Sequence, residues 1–157
     1  MPNRRTVVEL ARSWVDTPFV HQGRSRFVRL NGKRTGGIDC AGLIVVVGHD
    51  SGMLPASVDV PAYRRFPDGK TIRAMLGQYA VEIPMRNAQP GDVACFRVIG
   101  SRFPHHLAIL SDLSGDRLGM IHSFFELRRV VESGYSEPWL SRTVSVHSWP
   151  ELEGVPW

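Results

Sequence analysis

The sequence predicts an α+β protein in which a few helices pack on an antiparallel sheet of about five strands. Two observations lead to this class. Apolar residues at helical spacing dominate the first half of the chain. Short β-branched and aromatic segments, separated by Gly, Pro, Asp and Ser, dominate the second half. Helices followed by a run of strands are typical of folds that place the helices on one side of a sheet.

The length and composition predict one folded domain over residues 1–157. Hydrophobic residues make up 43% and charged residues 22%, which excludes a disordered chain. The N-terminus does not have the pattern of a signal peptide, and there is no apolar run long enough to cross a membrane. The net charge of +4 suits an anionic polymer, but no nucleic-acid-binding motif is present. We therefore expect no membrane span and no nucleic-acid partner.

The first half of the chain predicts two helices joined by a loop. Residues 4–15 form the first helix, with Asn3 as its cap and a stop before Pro18. Residues 22–37 are polar and include five basic residues, so we expect either a solvated loop or a rim that attracts an anionic substrate. Residues 40–51 are consistent with a buried strand or a buried helix. We favour the helix, because Asp39 is a good cap and Gly52 a good terminator.

The remaining elements follow from short local patterns. We expect a proline-rich loop over 53–67, a helix over 70–79 and a turn over 88–92. Five strands are then predicted, at residues 93–98, 106–111, 118–124, 128–132 and 143–148.

Cys40 is the candidate nucleophile. It lies at the start of the second predicted helix, where the helix dipole and free backbone N–H groups are expected to stabilise a thiolate and lower its pKa. The alternative is a buried small hydrophobic residue, which is the pattern that Cys95 shows inside a strand. A single disulfide between Cys40 and Cys95 stays open.

A thiol nucleophile needs a base, and His106 and His122 are the best candidates. If strands 106–111 and 118–124 form a hairpin, the two histidines lie close together on one face. His49 is about two turns along the Cys40 helix and too distant. His105 is the alternative to His106, but adjacent strand residues point to opposite faces, so only one can face Cys40.

Five ordered segments resemble the NlpC-type papain-like cell-wall peptidases, over roughly residues 5–148. They are Thr17-Pro18-Phe19-Val20, Asp39-Cys40-Ala41-Gly42-Leu43, Gln89-Pro90-Gly91-Asp92-Val93, His106-Leu107-Ala108-Ile109 and Met120-Ile121-His122. The sequence is most similar to the branch found in phage and gene-transfer-agent tails. His21-Gln22, the segment 130–133 and Trp139 are similar to that branch.

The resemblance implies a thiol protease that hydrolyses amide bonds of peptidoglycan stem peptides. It implies that Cys40 is the nucleophile, His106 the general base and His122 the residue that orients the base. The Cys40 N–H would donate to the oxyanion, and no metal or other cofactor is expected. Phe19, Asp39 and Ala41 take substrate-binding positions. Phe19 stands where many members have tyrosine, and Ala41 where serine is common.

Two alternatives stay open at this point. A tail-tip structural or adaptor protein would keep the fold without the activity, and a zinc site could use Cys40, His106 and His122 as ligands. For the peptidase we expect peptidoglycan stem peptides and tail hub or baseplate proteins as partners. With no signal peptide, we expect the protein in a virion-like tail, or in the cytoplasm before release, with its action in the periplasm or cell wall.

Overall fold

The structure is a computed structural model that describes residues 2–60, 63, 69–98, 105–150 and 152, without side chains at 27–30, 34, 35 and 69. This part of the chain forms four helices and eight strands. The helices are α1 (Arg4–Arg12), α2 (Cys40–Asp50), α3 (Gly69–Tyr79) and α4 (Trp139–Arg142), and a 3-10 turn covers Met85–Asn87. The strands are β1 (Arg24–Leu30), β2 (Lys33–Ile38), β3 (Val81–Ile83), β4 (Val93–Phe96), β5 (His106–Ser114), β6 (Arg117–Phe124), β7 (Arg129–Gly134) and β8 (Thr143–Ser148).

The main sheet has six strands in the order β3-β8-β4-β5-β6-β7, and every neighbouring pair is antiparallel. The predicted α+β class is therefore confirmed, as are all five predicted strands. The sixth strand, β3, was not predicted. It is only three residues long and mostly exposed, so it carries no recognisable apolar alternation.

The predicted loop over 22–37 is wrong, because β1 and β2 form an antiparallel hairpin. Leu30 pairs with Lys33 across a two-residue turn at Asn31-Gly32, and both turn residues have positive φ angles, 51° and 75°. Asn-Gly is the dipeptide that favours this turn. The signal was present in the sequence, but the polar composition of the flanking residues concealed it.

The helices begin where their caps predict. Asn3 Oδ1 accepts from the Thr6 N–H at 2.9 Å, and Asp39 Oδ1 accepts from the Gly42 N–H at 2.8 Å. The first helix ends at Arg12, three residues earlier than predicted, and a tight turn follows it. Helix α3 and the turn at 88–92 are confirmed. Of the predicted loop 53–67, residues 61–62 and 64–67 lie outside the described residues.

Each face of the main sheet carries its own apolar cluster. Helices α1, α2 and α3 cover the first face, which includes Leu107 and Ile109 of β5. Ala108 and Leu110 point to the second face, where Tyr135 and Trp139 pack. This alternation decides which β5 and β6 residues can meet. Within the described ranges, no helix is both long and apolar enough to span a membrane.

Candidate active site

Cys40 is the first residue of α2, and contacts with three other parts of the chain fix the residues around it. The Ile38 N–H donates to the Pro18 carbonyl at 2.9 Å, and the Ile38 carbonyl accepts from Ser123 Oγ at 2.7 Å. A side chain at Gly42 would lie 2.4 Å from the Gly23 carbonyl oxygen, so only glycine fits this position of the helix. The motif residues around Cys40 therefore seat the helix start against the sheet and the β1–β2 hairpin.

Two backbone N–H groups, those of Ala41 and Leu107, donate to the Cys40 sulfur. Leu107 is the second residue of β5, directly after His106, so the sulfur lies at the start of the strand that carries the predicted base. The cap uses the Gly42 N–H, and helical hydrogen bonding begins at Leu43. The N–H groups of Cys40 and Ala41 thus precede the helix ladder, at the positive end of the α2 dipole.

The predicted lowering of the Cys40 pKa is wrong. Packing around the sulfur and the neighbouring Asp39 carboxylate raise the pKa of the thiol to about 12, although the residue as a whole is only half-buried. The two backbone donors lower the pKa, as expected for a helix start, but burial outweighs them. Cys40 is therefore a neutral thiol at pH 7.

His106 and His122 meet directly, with His106 Nε2 at 2.7 Å from His122 Nδ1. The paired register of β5 and β6 runs from Ile109 opposite Ile121 to Ser114 opposite Arg117, so both histidines lie just beyond the paired part of the hairpin. The predicted hairpin is confirmed, and it is His106 rather than His105 that contacts His122. Because His106 Nε2 faces His122, Nδ1 is the nitrogen left to exchange a proton.

The histidine pair is enclosed by aromatic rings. Trp139 lies 5.7 Å from the His106 ring and 5.2 Å from the His122 ring, measured between centroids, and Phe124 lies 5.2 and 5.5 Å from them. Burial lowers the pKa of His122 to about 4, and burial with the neighbouring His122 lowers the pKa of His106 well below its usual value. Both imidazoles are therefore neutral at pH 7, which is the state required of a base.

The same architecture occurs in solved structures of NlpC/P60 proteins. One is a lipoprotein-like NLP/P60 family protein from Staphylococcus aureus, with a TM-score of 0.60 and 21% identity over 96% of this chain and 42% of that one. Another is an NLPC/P60 family protein from Bacillus cereus, with a TM-score of 0.63 and 17% identity over 94% and 40%. NlpC2 from Trichomonas vaginalis has a TM-score of 0.61 and 15% identity over 95% and 47%.

This is an NlpC/P60 fold. The chain spans less than half the length of each of these structures, and the identities are low enough that the likeness concerns the fold alone. No protein-family model matches the sequence, and no curated protein matches it. The roles of individual residues therefore rest on the geometry of this chain.

In this NlpC/P60 fold, Asp39 holds the start of the Cys40 helix in place. Its buried carboxylate caps α2, accepts from the Gln22 N–H at 2.7 Å and from Arg24 at 3.1 Å, and also accepts from the Tyr63 hydroxyl. Tyr63 lies in the proline-rich segment and was not predicted as a site residue. Its sequence surroundings carry no motif, so only the fold reveals the contact. Substrate binding by Asp39 stays a prediction.

Phe19 lies beside the segment that precedes Cys40, and Ala41 follows Cys40 in α2. Phe19 forms a parallel bridge with Ile38, and its N–H donates to the Arg128 carbonyl at 2.9 Å. Ala41 is buried and lines a small apolar cavity of about 40 Å³ together with Leu107. Their predicted roles in substrate binding stay predictions.

The basic segment is partly occupied by structural contacts. Arg24 pairs with Asp39 and with Asp59, and Arg26 lies over the Trp14 ring at 4.1 Å. Lys33 is exposed, whereas the side chains of residues 29 and 34 lie outside the described part. Two of the five basic residues therefore make contacts within the fold.

Both cysteines are free, so the open possibility of a disulfide between Cys40 and Cys95 is wrong. Two imidazole nitrogens bound to one zinc ion would be about 3.3 Å apart, since Zn–N distances are about 2.0–2.1 Å and the angle is tetrahedral. His106 and His122 instead share a direct 2.7 Å hydrogen bond. No group of three His, Cys, Asp or Glu residues in the described ranges is arranged to hold a metal ion.

Proposed function

We propose that this chain is a cysteine peptidase that cleaves amide bonds of peptidoglycan stem peptides. The observation that carries the proposal is the hydrogen bond between His106 and His122 at the start of β5. The N–H of the next residue, Leu107, contacts the Cys40 sulfur. In the proposed site, α2 contributes the nucleophile, β5 the base and β6 the residue that orients the base. The NlpC/P60 fold and the net charge of +4 support a cell-wall substrate that carries carboxylates.

The tautomers follow from the required direction of proton transfer. For His106 Nδ1 to act as base it must be unprotonated, so His106 Nε2 carries the hydrogen and donates to His122 Nδ1. His122 then carries its own proton on Nε2. This arrangement fixes the orientation of the His106 ring, which is the role of the third member of a catalytic triad.

The proposed reaction begins from a neutral thiol. As the Cys40 sulfur attacks the peptide carbonyl carbon, its proton passes to His106 Nδ1, and the carbonyl oxygen becomes an oxyanion. The N–H of Cys40 is the proposed donor to that oxyanion. His106 then protonates the leaving amine, the C–N bond breaks and a thioester remains. Water, deprotonated by His106, hydrolyses the thioester and restores the thiol.

The test is digestion of purified peptidoglycan by the wild type and by Cys40→Ala, with Cys95→Ala as the matched control. We expect release of new free amino groups by wild type and Cys95→Ala, and a loss of at least about a thousandfold in Cys40→Ala. Circular dichroism checks that each variant is folded. Equal digestion by wild type and Cys40→Ala contradicts the proposal.

A second candidate is a structural or adaptor protein of a tail tip that keeps the fold but not the chemistry. The raised pKa of the Cys40 thiol favours it, because such a thiol has no resting thiolate. We propose delivery by a phage-like or gene-transfer-agent tail for either function. Pull-down with tail hub or baseplate proteins tests the delivery, and peptidoglycan digestion separates the two functions.

A further inference from the structure

An open concavity of about 560 Å³ lies between the end of β4 and the α4–β8 segment. We name it the arginine concavity, because Arg97 and Arg142 are its charged lining residues. The other lining residues are Pro138, Ser141, Thr143 and Val144. It shares no lining residue with the apolar cavity beside Ala41, so it is a separate feature of the surface.

The sheet register places this concavity at the same end of the sheet as the histidine pair. Phe96 is paired with His106 on one side and with Thr143 on the other, so Arg97 leaves β4 where β5 begins. The Arg97 N–H donates to the Arg142 carbonyl at 2.8 Å, and this hydrogen bond joins the end of β4 to the α4–β8 segment. The concavity therefore opens beside the catalytic end of β5.

Trp139 connects the concavity to the proposed catalytic residues. The Arg142 guanidinium carbon is 5.6 Å from the centroid of the Trp139 ring, and the His106 ring is 5.7 Å from that same centroid. The guanidinium thus lies within about 11 Å of the His106 ring. This upper limit is about the length of three residues of an extended peptide, so a peptide bound beside His106 can also reach Arg142.

The charges of the concavity are not neutralised within the described part of the chain. Neither Arg97 nor Arg142 forms an ion pair there, and Arg142 Nε is buried without a hydrogen-bond partner. The nearby Glu137 carboxylate accepts from the backbone N–H and the hydroxyl of Ser141. Two arginines that line one concavity without an ion pair are suited to a planar anion such as a carboxylate.

We propose that the arginine concavity binds a free carboxylate of the peptide substrate and so selects acidic stem peptides over their amidated forms. The guanidinium groups of Arg97 and Arg142, which both line the concavity, are the donors to that carboxylate. The inference rests on the proposed function for the identity of the substrate. Arg97 and Arg142 act by binding, and neither takes part in the proton transfers at Cys40.

The test is binding to the Cys40→Ala protein, which cannot turn over substrate. Titration calorimetry compares a stem peptide with free carboxylates and the same peptide with those carboxylates amidated. We expect the acidic peptide to bind at least about tenfold more tightly. Arg97→Gln and Arg142→Gln remove most of that preference, and Arg86→Gln, an exposed arginine on the 3-10 turn, keeps it. Arg97→Gln is the cleaner variant, because Arg142 also packs on Trp139.

The outcomes separate this inference from the proposed function. If the parent protein does not prefer the acidic peptide, or if Arg97→Gln keeps the same preference as Arg86→Gln, the arginine concavity is not the carboxylate site. If the preference depends on Arg97 but wild type never digests peptidoglycan, the carboxylate site in the arginine concavity is supported and the peptidase function is contradicted. If digestion depends on Cys40 and the preference does not depend on Arg97, the peptidase function is supported and the carboxylate site is contradicted.

Discussion

The two cysteines of this chain have similar acidity and very different surroundings. Burial raises the pKa of both Cys40 and Cys95 to about 12. Cys95 also has a histidine nearby, since Ser145 hydrogen-bonds to its sulfur and His147 Nε2 lies 2.9 Å from Ser145 Oγ. The chain therefore has two groups that combine a cysteine with histidine. Cys95, Ser145 and His147 lie on β4 and β8, and Cys40, His106 and His122 lie on α2, β5 and β6.

The surroundings of Cys40 and Cys95 differ in access to the sulfur and in the orientation of the nearby histidine. Cys95 lies inside β4 between β5 and β8 and has 0% of its surface exposed. Cys40 is half-buried at a helix start, with two backbone N–H donors on its sulfur and a base whose far nitrogen is fixed by His122. The thiol pKa therefore does not distinguish the two cysteines, whereas an accessible sulfur and an oriented histidine favour Cys40 as the proposed nucleophile.

The largest expected difference between the two regions is in catalysis. His106→Gln removes the proposed base, and we expect peptidoglycan digestion to fall by at least about a thousandfold. His147→Gln alters the corresponding histidine of the Cys95 region, and we expect activity within about twofold of wild type. Comparable losses in both variants would break the assignment. Thermal unfolding of each variant shows whether a loss comes from misfolding.

Alkylation compares the accessibility of the two thiols. In the native protein, iodoacetamide is expected to modify Cys40 at least about a hundredfold faster than Cys95. The reagent can reach Cys95 only when the sheet opens locally. The Cys40 rate should rise about tenfold per pH unit from pH 7 to 10 without a plateau, since the thiol titrates near pH 12. Mass spectrometry of peptides gives both rates, and Cys40→Ala isolates the Cys95 rate. A plateau below pH 8 would instead indicate a resting thiolate–imidazolium pair.

The pH dependence of stability reports on the buried imidazoles of both regions. The pKa of His122 is lowered to about 4, and those of His106 and His147 are also lowered, mainly by burial. As the pH falls below 6.5, the unfolded chain binds these protons more readily than the folded chain, so stability falls with pH, and for His122 this window extends to about pH 4. His122 alone contributes a loss of about 3 kcal/mol, measured by urea unfolding at pH 7 and pH 4.

A matched variant sharpens the pH prediction. His122→Asn removes one of the three titrating groups, so its unfolding free energy should depend less steeply on pH over the same window, whatever its value at pH 7. An identical slope for wild type and His122→Asn would show that His122 is not a neutral buried group in the folded state.

The smallest expected effect belongs to Cys95. Cys95→Ala removes one sulfur from a fully packed site and its hydrogen bond with Ser145, for a loss of about 1 kcal/mol in unfolding free energy. Activity should stay unchanged, because the Cys95 region takes no part in the proposed reaction. A large loss of activity in a folded Cys95→Ala protein would mean that the two regions are coupled.

Much of the site follows from local patterns in the sequence. Caps and terminators identified α1 and α2, because Asn3, Asp39 and Gly52 act on their nearest backbone neighbours. Strand alternation predicted that His106 and His122 share a face, because the side chains of a hairpin obey a period of two. The Asn31-Gly32 turn was equally local and could have been recognised from the same rules.

The rest was decided by contacts between distant segments. Local rules placed Cys40 at a helix start and predicted a lower pKa, but burial against β5 and the charge of Asp39 raise it, and burial is a property of the packed chain. Tyr63 reaches Asp39, and Trp139 reaches His106, from segments that carry no motif for either contact. The sequence by itself determined which residues are the candidates for the chemistry. The tertiary structure decided their protonation, their enclosure and the charged concavity near them, because those depend on which surfaces the fold brings together.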